Sequence, residues 1–233
     1  MTMKVIQDIK NKCAAHITMT SEAAKRFFKV SEGSYGQGEA FLGVTVPHLR
    51  KIARLYKDVE LEVVRGLLQS SYNEERLLAL LILVYQYQKC SIDRQEELCA
   101  FYLSNLNRIN NWNLVDSSAY PILGYYLWAR DRSILTKLAR STIVWERRIA
   151  IVATLYFIRK SDLDCTFMLA KLLLNDSHDP VHKSVGWMLR EAGKKYQAQL
   201  ISFLSDYPQQ MPRIMLRYSM ERLSDDQKKL INL

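Results

Sequence analysis

An all-α fold is what these 233 residues predict, and three observations carry that expectation. Glycine and proline are sparse, at 8 and 5 residues, so the chain lacks the many tight turns of an all-β fold. Apolar residues make up 48% of the chain, and in most segments they recur with the three- and four-residue spacing of a helix face. Two segments, Asn73 to Lys89 and Trp145 to Lys160, are apolar almost all round, as helices enclosed by neighbours are.

Taken in order, Val5 to Ile17 and Ser21 to Val30 read as amphipathic helices with a break at Thr20 or Ser21. Ser31 to Gly38 is the glycine-dense stretch and reads as a loop. No strand precedes it and no Lys-Ser/Thr follows it, so it does not read as a nucleotide-phosphate loop. Pro47 suits the first turn of a helix that runs to Lys57, and Arg50, Lys51, Arg54 and Lys57 make a basic stripe along it. Glu60 to Gln69 is a short helix, Asn73 to Lys89 a buried one and Ile92 to Leu106 an amphipathic one. A polar and aromatic stretch, Asn110 to Pro121, follows. Pro121 opens a helix to Ala129, and Ser133 to Arg140, Trp145 to Lys160 and Leu163 to Leu174 come next. Asp179 and Pro180 supply a cap and a first-turn proline for Val181 to Lys195. Tyr196 to Ser205, Met211 to Leu223 and Ser224 to Leu233 complete the chain, and Ser224 with Gln227 has capping-box spacing.

Four of these helices begin near a cation: Arg76, Arg148, Lys183 and Arg217. The steps are 72, 35 and 34 residues, the first about twice the others. A helix pair recurring at this length predicts an α-solenoid of HEAT-like antiparallel helix pairs, one domain over residues 1–233. Stacking would align the four cations into a ladder on a concave basic surface, with Asp116 as a lone acid in the track.

The charge balance is 33 basic against 24 acidic residues, a net +9, with a pI near 9.3. Such an excess favours a polyanionic partner. Cys13, Cys90, Cys99 and Cys165 form no pair with metal-binding spacing and read as buried free thiols of a reducing compartment. The first residues are charged and amphipathic rather than a secretory signal, and no apolar run nears the roughly 20 residues that span a bilayer. These features predict a soluble cytoplasmic protein that holds no metal and does not enter a membrane.

Trp112 and Asp116 are four residues apart, hence on one helix face. One reading makes Trp112 core and Asp116 a helix cap; the other makes them a reaction centre. On the Val181 helix, Val185, Met188, Leu189 and Ala192 fall on one side at 100° per residue, and Lys183, Trp187, Arg190 and Lys194 on the other. Trp187 is then a binding indole among cations or a surface ring stacked on its neighbours. One of Arg147 and Arg148 must approach the interior at the first turn of its helix. A phosphate contact and an ion pair with Asp116 are both open for it.

The chain resembles the AlkD family of DNA alkylation repair glycosylases, which are HEAT-like repeat proteins. The resemblance rests on Phe41-Leu42-Gly43-Val44 with Pro47 and Arg50, on Asn111 to Asp116, on Trp145-Glu146-Arg147-Arg148, and on Lys183 to Glu191. It implies a monomeric, monofunctional glycosylase without cofactor that releases 3-methyladenine and 7-methylguanine from double-stranded DNA. Asp116 would be the catalytic carboxylate, Trp112 and Trp187 the indoles at the deoxyribose, and Arg148 the partner on the DNA-backbone side. An early-helix aromatic of the family falls nearest Phe27, where tyrosine is usual. Arg147, Lys183, Arg190, Lys194, Arg50 and Lys51 are the expected DNA-binding cations. A non-catalytic DNA-binding protein on the same scaffold, recognising damaged or distorted DNA, is the alternative.

Overall fold

Fifteen α-helices and no β-strand occur among the described residues of this computed structural model, which are 1–28 and 30–231, without the side chain of Phe27. The all-α expectation holds. The chain divides into two compact units, Met1–Ser118 and Ala119–Leu233.

The first unit holds α1 (Thr2–Ala14), α2 (Ser21–Phe28), α3 (Val46–Leu55), α4 (Leu61–Leu68), α5 (Asn73–Tyr87), α6 (Ile92–Ser104) and α7 (Trp112–Ser118). Helix α5 is the centre: α3, α4, α6 and α7 all pack on it. Leu77 to Leu83 are fully enclosed, which accounts for a helix with almost no polar side. Its first turn is buried too, and every polar side chain there has a partner. Glu74 accepts the Leu42 and Gly43 N–H groups at 3.0 and 2.8 Å. Glu75 pairs with Lys10 at 2.9 Å. Arg76, expected among the surface cations, is instead buried at 3% exposure. It binds Glu39 at 2.6 and 2.7 Å and the Ser70 and Ser71 carbonyls at 3.0 Å. The loop that carries Glu39 supplies the countercharge that makes this burial tolerable.

The second unit holds α8 (Ser133–Ala139), α9 (Val144–Ala153), α10 (Leu155–Arg159), α11 (Asp164–Leu172), α12 (Asp179–Gly193), α13 (Gln197–Asp206), α14 (Arg213–Ser219) and α15 (Asp225–Lys229). The expected helix from Trp145 to Lys160 is broken at Thr154, whose buried hydroxyl donates to the Ile151 carbonyl at 2.7 Å. Helix α9 packs on α12 and α12 on α14, with α8 and α13 against them. These are stacked helix pairs, the repeat fold expected from the sequence. The Ser224–Gln227 capping box forms, and the expected end at Leu233 lies outside the described residues.

Two further expectations change. Pro121 does not open a new helix. The chain stays helical from Trp112 through Tyr126, with Ala119–Gly124 widened into a π turn. A proline ring clashes with the carbonyl four residues back and donates no hydrogen bond, and a π turn relieves both defects. Of the cysteines, Cys13, Cys99 and Cys165 are buried, but Cys90 is only half-buried. Burial pushes the Cys13 thiol up to about 12, helped by Glu75 and Glu74. No helix among the described residues is long and apolar enough to cross a membrane.

Gly43 has φ of 92°, and a Cβ there would lie 2.1 Å from the Met19 carbonyl oxygen. Gly43→Ala is expected to cost about 3 kcal/mol of stability from backbone strain and this clash, read by urea unfolding. An unchanged midpoint would contradict the assignment.

Candidate functional site

In the first unit the candidate centre is α7. Asn111 is buried and accepts the Trp112 N–H at 2.8 Å, which caps the helix start. Leu114 and Val115 turn into the core, so Trp112 and Asp116 share the outward side, about 6 Å apart along the axis. Both are half-buried. Trp112 is one plate of an aromatic stack. Phe28 lies against it with centroids 5.3 Å apart and planes 21° apart. Phe41 lies behind Phe28 at 4.5 Å. Phe27, the aromatic expected here, has its side chain outside the described residues. The ring that packs on Trp112 is its neighbour Phe28, which sequence reasoning missed.

A buried polar network fixes this helix. Asn113 donates to Asn73 at 2.6 Å, Asn73 donates to Glu39 at 2.7 Å, and Glu39 holds Arg76. Asn110 also reaches Glu39, at 3.3 Å. The asparagines of the central stretch are thus structural ties on either side of Trp112. Under α7, Tyr102 shares a hydrogen bond with Ser118 at 3.1 Å. Burial pushes the Tyr102 phenol well above its usual range, against the Ser118 bond and with help from the charges of Cys99 and Asp116.

In the second unit the expected residues lie on α9 and α12, which pack together. Arg148 is buried and donates to the Pro180 carbonyl, so it is the arginine that approaches the interior. Arg147 is half-buried. It binds Asp176 at 2.5 and 3.3 Å, the Ser141 carbonyl at 2.8 Å and His178 at 3.0 Å. Burial would raise the Asp176 carboxyl, but Arg147 and the His178 N–H together hold it below the usual range.

On α12 the helical-face reading agrees with the packing. Val185, Met188, Leu189 and Ala192 are fully buried. Lys183, Trp187 and Arg190 are half-buried and Lys194 is exposed. Glu191 joins this side: it accepts the Trp187 indole N–H at 3.2 Å and Lys194 at 2.7 and 2.8 Å. Arg190 reaches Glu221 and lies 3.8 Å from Glu191. Two of the expected DNA-binding cations are therefore partly neutralised from within. Arg50 and Lys51 are exposed on α3. Among the described residues no three His, Cys, Asp or Glu side chains are grouped to hold a metal ion.

Trp187 and Trp145 offer a contrast within one unit. Trp145 is 7% exposed, and Trp145→Ala should cost about 3–5 kcal/mol, as for other core aromatics. Trp187→Ala should cost under about 1 kcal/mol. Thermal unfolding of both variants checks this, and an equal loss would make Trp187 a core residue.

Residues 14–223 match the family model described as DNA alkylation repair enzyme. A comparison with curated proteins gives no match. Among solved structures, a predicted DNA alkylation repair enzyme from Enterococcus faecalis aligns with a TM-score of 0.66 at 14% identity, over 88% of this chain and 95% of that one. AlkD2 from Streptococcus mutans aligns at 0.58 and 15% identity, over 97% and 100%. At such identities the structures speak for the fold. The family match covers most of the sequence, and with it the α7 stretch and both cation-bearing helices. The chain belongs to the DNA alkylation repair enzyme family.

Proposed function

We propose that the chain is a DNA glycosylase that hydrolyses the N-glycosidic bond of positively charged alkylated purines, such as 3-methyladenine and 7-methylguanine, in duplex DNA. The observation that carries this reading is the α7 turn. There a carboxylate and an indole share one outward, half-buried side, in a chain of net charge +9. A carboxylate has no use in a surface that only holds phosphates. It has one where positive charge develops.

Breaking the bond from C1′ to the purine nitrogen sends the electron pair to the base, which departs neutral, and leaves positive charge on the sugar. The Asp116 carboxylate stabilises that charge and orients a water molecule. The water oxygen bonds to C1′ and its proton passes to the carboxylate or to solvent. The Trp112 face adds cation–π attraction, and its stack on Phe28 holds it still. Unit charges about 4 Å apart at an effective dielectric of 20 interact by roughly 4 kcal/mol, on the order of a thousandfold in rate. That suffices for a base already weakened by its own charge. A neutral base would need a leaving-group acid as well, and this sets the substrate class. In the second unit we assign Trp187, Arg190, Lys194 and Lys183 to DNA contact. Arg147 and Arg148 shape the α9–α12 junction beside them, and Arg50 and Lys51 add charge on α3.

Release of 7-methylguanine from methylated duplex DNA should be nearly abolished in Asp116→Asn, with DNA affinity kept. Equal rates for both proteins would remove Asp116 from the reaction, and tight binding without release by wild type would favour a non-catalytic damage-binding protein. Affinity for duplex should fall steeply with added salt, as counterion release requires; a flat dependence would contradict a phosphate-contacting surface.

A further inference from the structure

The helix stack of the second unit repeats at a fixed interval. A Cβ on Gly124 would lie 2.2 Å from the Ala153 carbonyl oxygen and 2.9 Å from Tyr156 Cβ. A Cβ on Gly186 would lie 2.5 Å from the Met215 carbonyl oxygen and 2.6 Å from Tyr218 Cβ. The two close approaches are the same contact 62 residues apart: Gly124 and Gly186, Ala153 and Met215, Tyr156 and Tyr218. Two helix steps separate them, because the π turn packs on α9 and α10, these on α12, and α12 on α14. The mean step is therefore 31 residues. The cation steps of 35 and 34 read from the sequence differ from it by about one helical turn, so Arg148, Lys183 and Arg217 are not equivalent positions. Arg148 is buried and Arg217 exposed.

Counted at the true interval from the residue after Gly124, the chain places Tyr125, Tyr156, Trp187 and Tyr218. All four are aromatic in a chain with 10% aromatic residues. None is a core residue. Tyr125 is 41% exposed, and the other three are half-buried. The core at these turns comes from other side chains, among them Leu123, Phe157, Val185 and Met215. Cations accompany the rings. Lys160 lies over Tyr156 at 5.7 Å and Arg217 over Tyr218 at 5.8 Å. Arg159 and Arg190 follow Tyr156 and Trp187 at three residues. Arg190, three residues after Trp187, lines a hollow of about 500 Å³ together with Lys194, Lys195 and Arg222.

We propose that Tyr125, Tyr156, Trp187 and Tyr218 form a track of aromatic stations, one per stacked helix, along which one strand of undamaged or damaged duplex DNA lies with its deoxyriboses on the rings and its phosphates on the accompanying cations. The proposal rests on the reading of Trp187 as a DNA contact and extends it to three tyrosines. Packed helices lie about 8–10 Å apart, and a strand rises about 3.4 Å per nucleotide. The ring spacing is uneven, because Tyr125 and Tyr156 touch with centroids 5.0 Å apart. These two meet neighbouring nucleotides, the later stations are about one helix spacing further on, and the contact is independent of sequence. The rings, not the hydroxyls, make the contact.

Tyrosine nitration of the wild-type protein, mapped by mass spectrometry with and without an undamaged duplex, tests this. Tyr125, Tyr156 and Tyr218 should be protected several-fold. Tyr196, 37% exposed and off the track, should react equally in both samples. Tyr125→Ala should weaken duplex binding about tenfold, within the range for one aromatic contact, and Tyr125→Phe should restore it. Unprotected Tyr125 with bound DNA would overturn the track, as would equal losses in the Ala and Phe variants. Neither the nitration arm nor the binding arm depends on base release. An Asp116→Asn protein as active as wild type, with protected tyrosines, would sink the catalytic assignment and keep the track. An active enzyme with unprotected tyrosines would do the reverse.

Discussion

The buried pair of Glu39 and Arg76 is the interaction on which the first unit's candidate centre depends. Both charges are removed from water, and each is held by two contacts to the other at 2.6 and 2.7 Å. Asn73 and Asn110 take up the remaining carboxylate capacity. Through Asn73 the pair reaches Asn113, next to Trp112. Through the chain it positions Phe41, two residues beyond Glu39, at the back of the aromatic stack. One carboxylate in a loop thus sets both the helix that carries Asp116 and the ring pile that supports Trp112. A buried pair of this kind adds little net stability, because desolvation offsets most of the attraction. Its consequence is geometric, since neither partner can leave without stranding the other.

Cations in this chain divide between two tasks. Arg76, Arg147 and Arg148 hold carbonyls, carboxylates and helix junctions together. Arg50, Lys51, Arg159 and Lys194 point outward or lie at the surface. Guanidinium suits the first task because its planar fork meets several acceptors at once. The net charge of +9 is consequently a better guide to the kind of partner than to which residues meet it. On α12 the acid Glu191 sits among the cations and binds both Trp187 and Lys194. It lowers the local positive charge and fixes the indole edge.

Close packing explains the spacing of the second unit. Gly124 and Gly186 let helix backbones approach within the radius of a side chain, and the same contact recurs after 62 residues, two helix steps, a mean of 31 per step. The first-turn cations cannot keep this register, because helix starts vary with loop length while the backbone approach does not. The sequence periods of 34 and 35 thus report where helices begin, and the glycine contacts report how they stack. The π turn at Ala119–Gly124 belongs to the same economy of backbone. It carries the helix past Pro121 and delivers Gly124 to its contact with Ala153.

By itself the sequence determined the helical class, most element positions, the enclosed character of α5 and α9, and the two faces of α12. Each of these follows from local periodicity and end signals, which act within a few turns of chain. It also pointed to Trp112 and Asp116 as neighbours, because four residues make one helical turn. Only the tertiary structure decided that Arg76 is inside, that Phe28 is the ring against Trp112, that Thr154 breaks a helix while Pro121 does not, and that the asparagines serve as ties. Several of those outcomes turn on partners far along the chain, such as Glu39 for Asn110 and Phe28 for Trp112. Burial of a polar group is settled by whether such a partner arrives, and no local pattern records that.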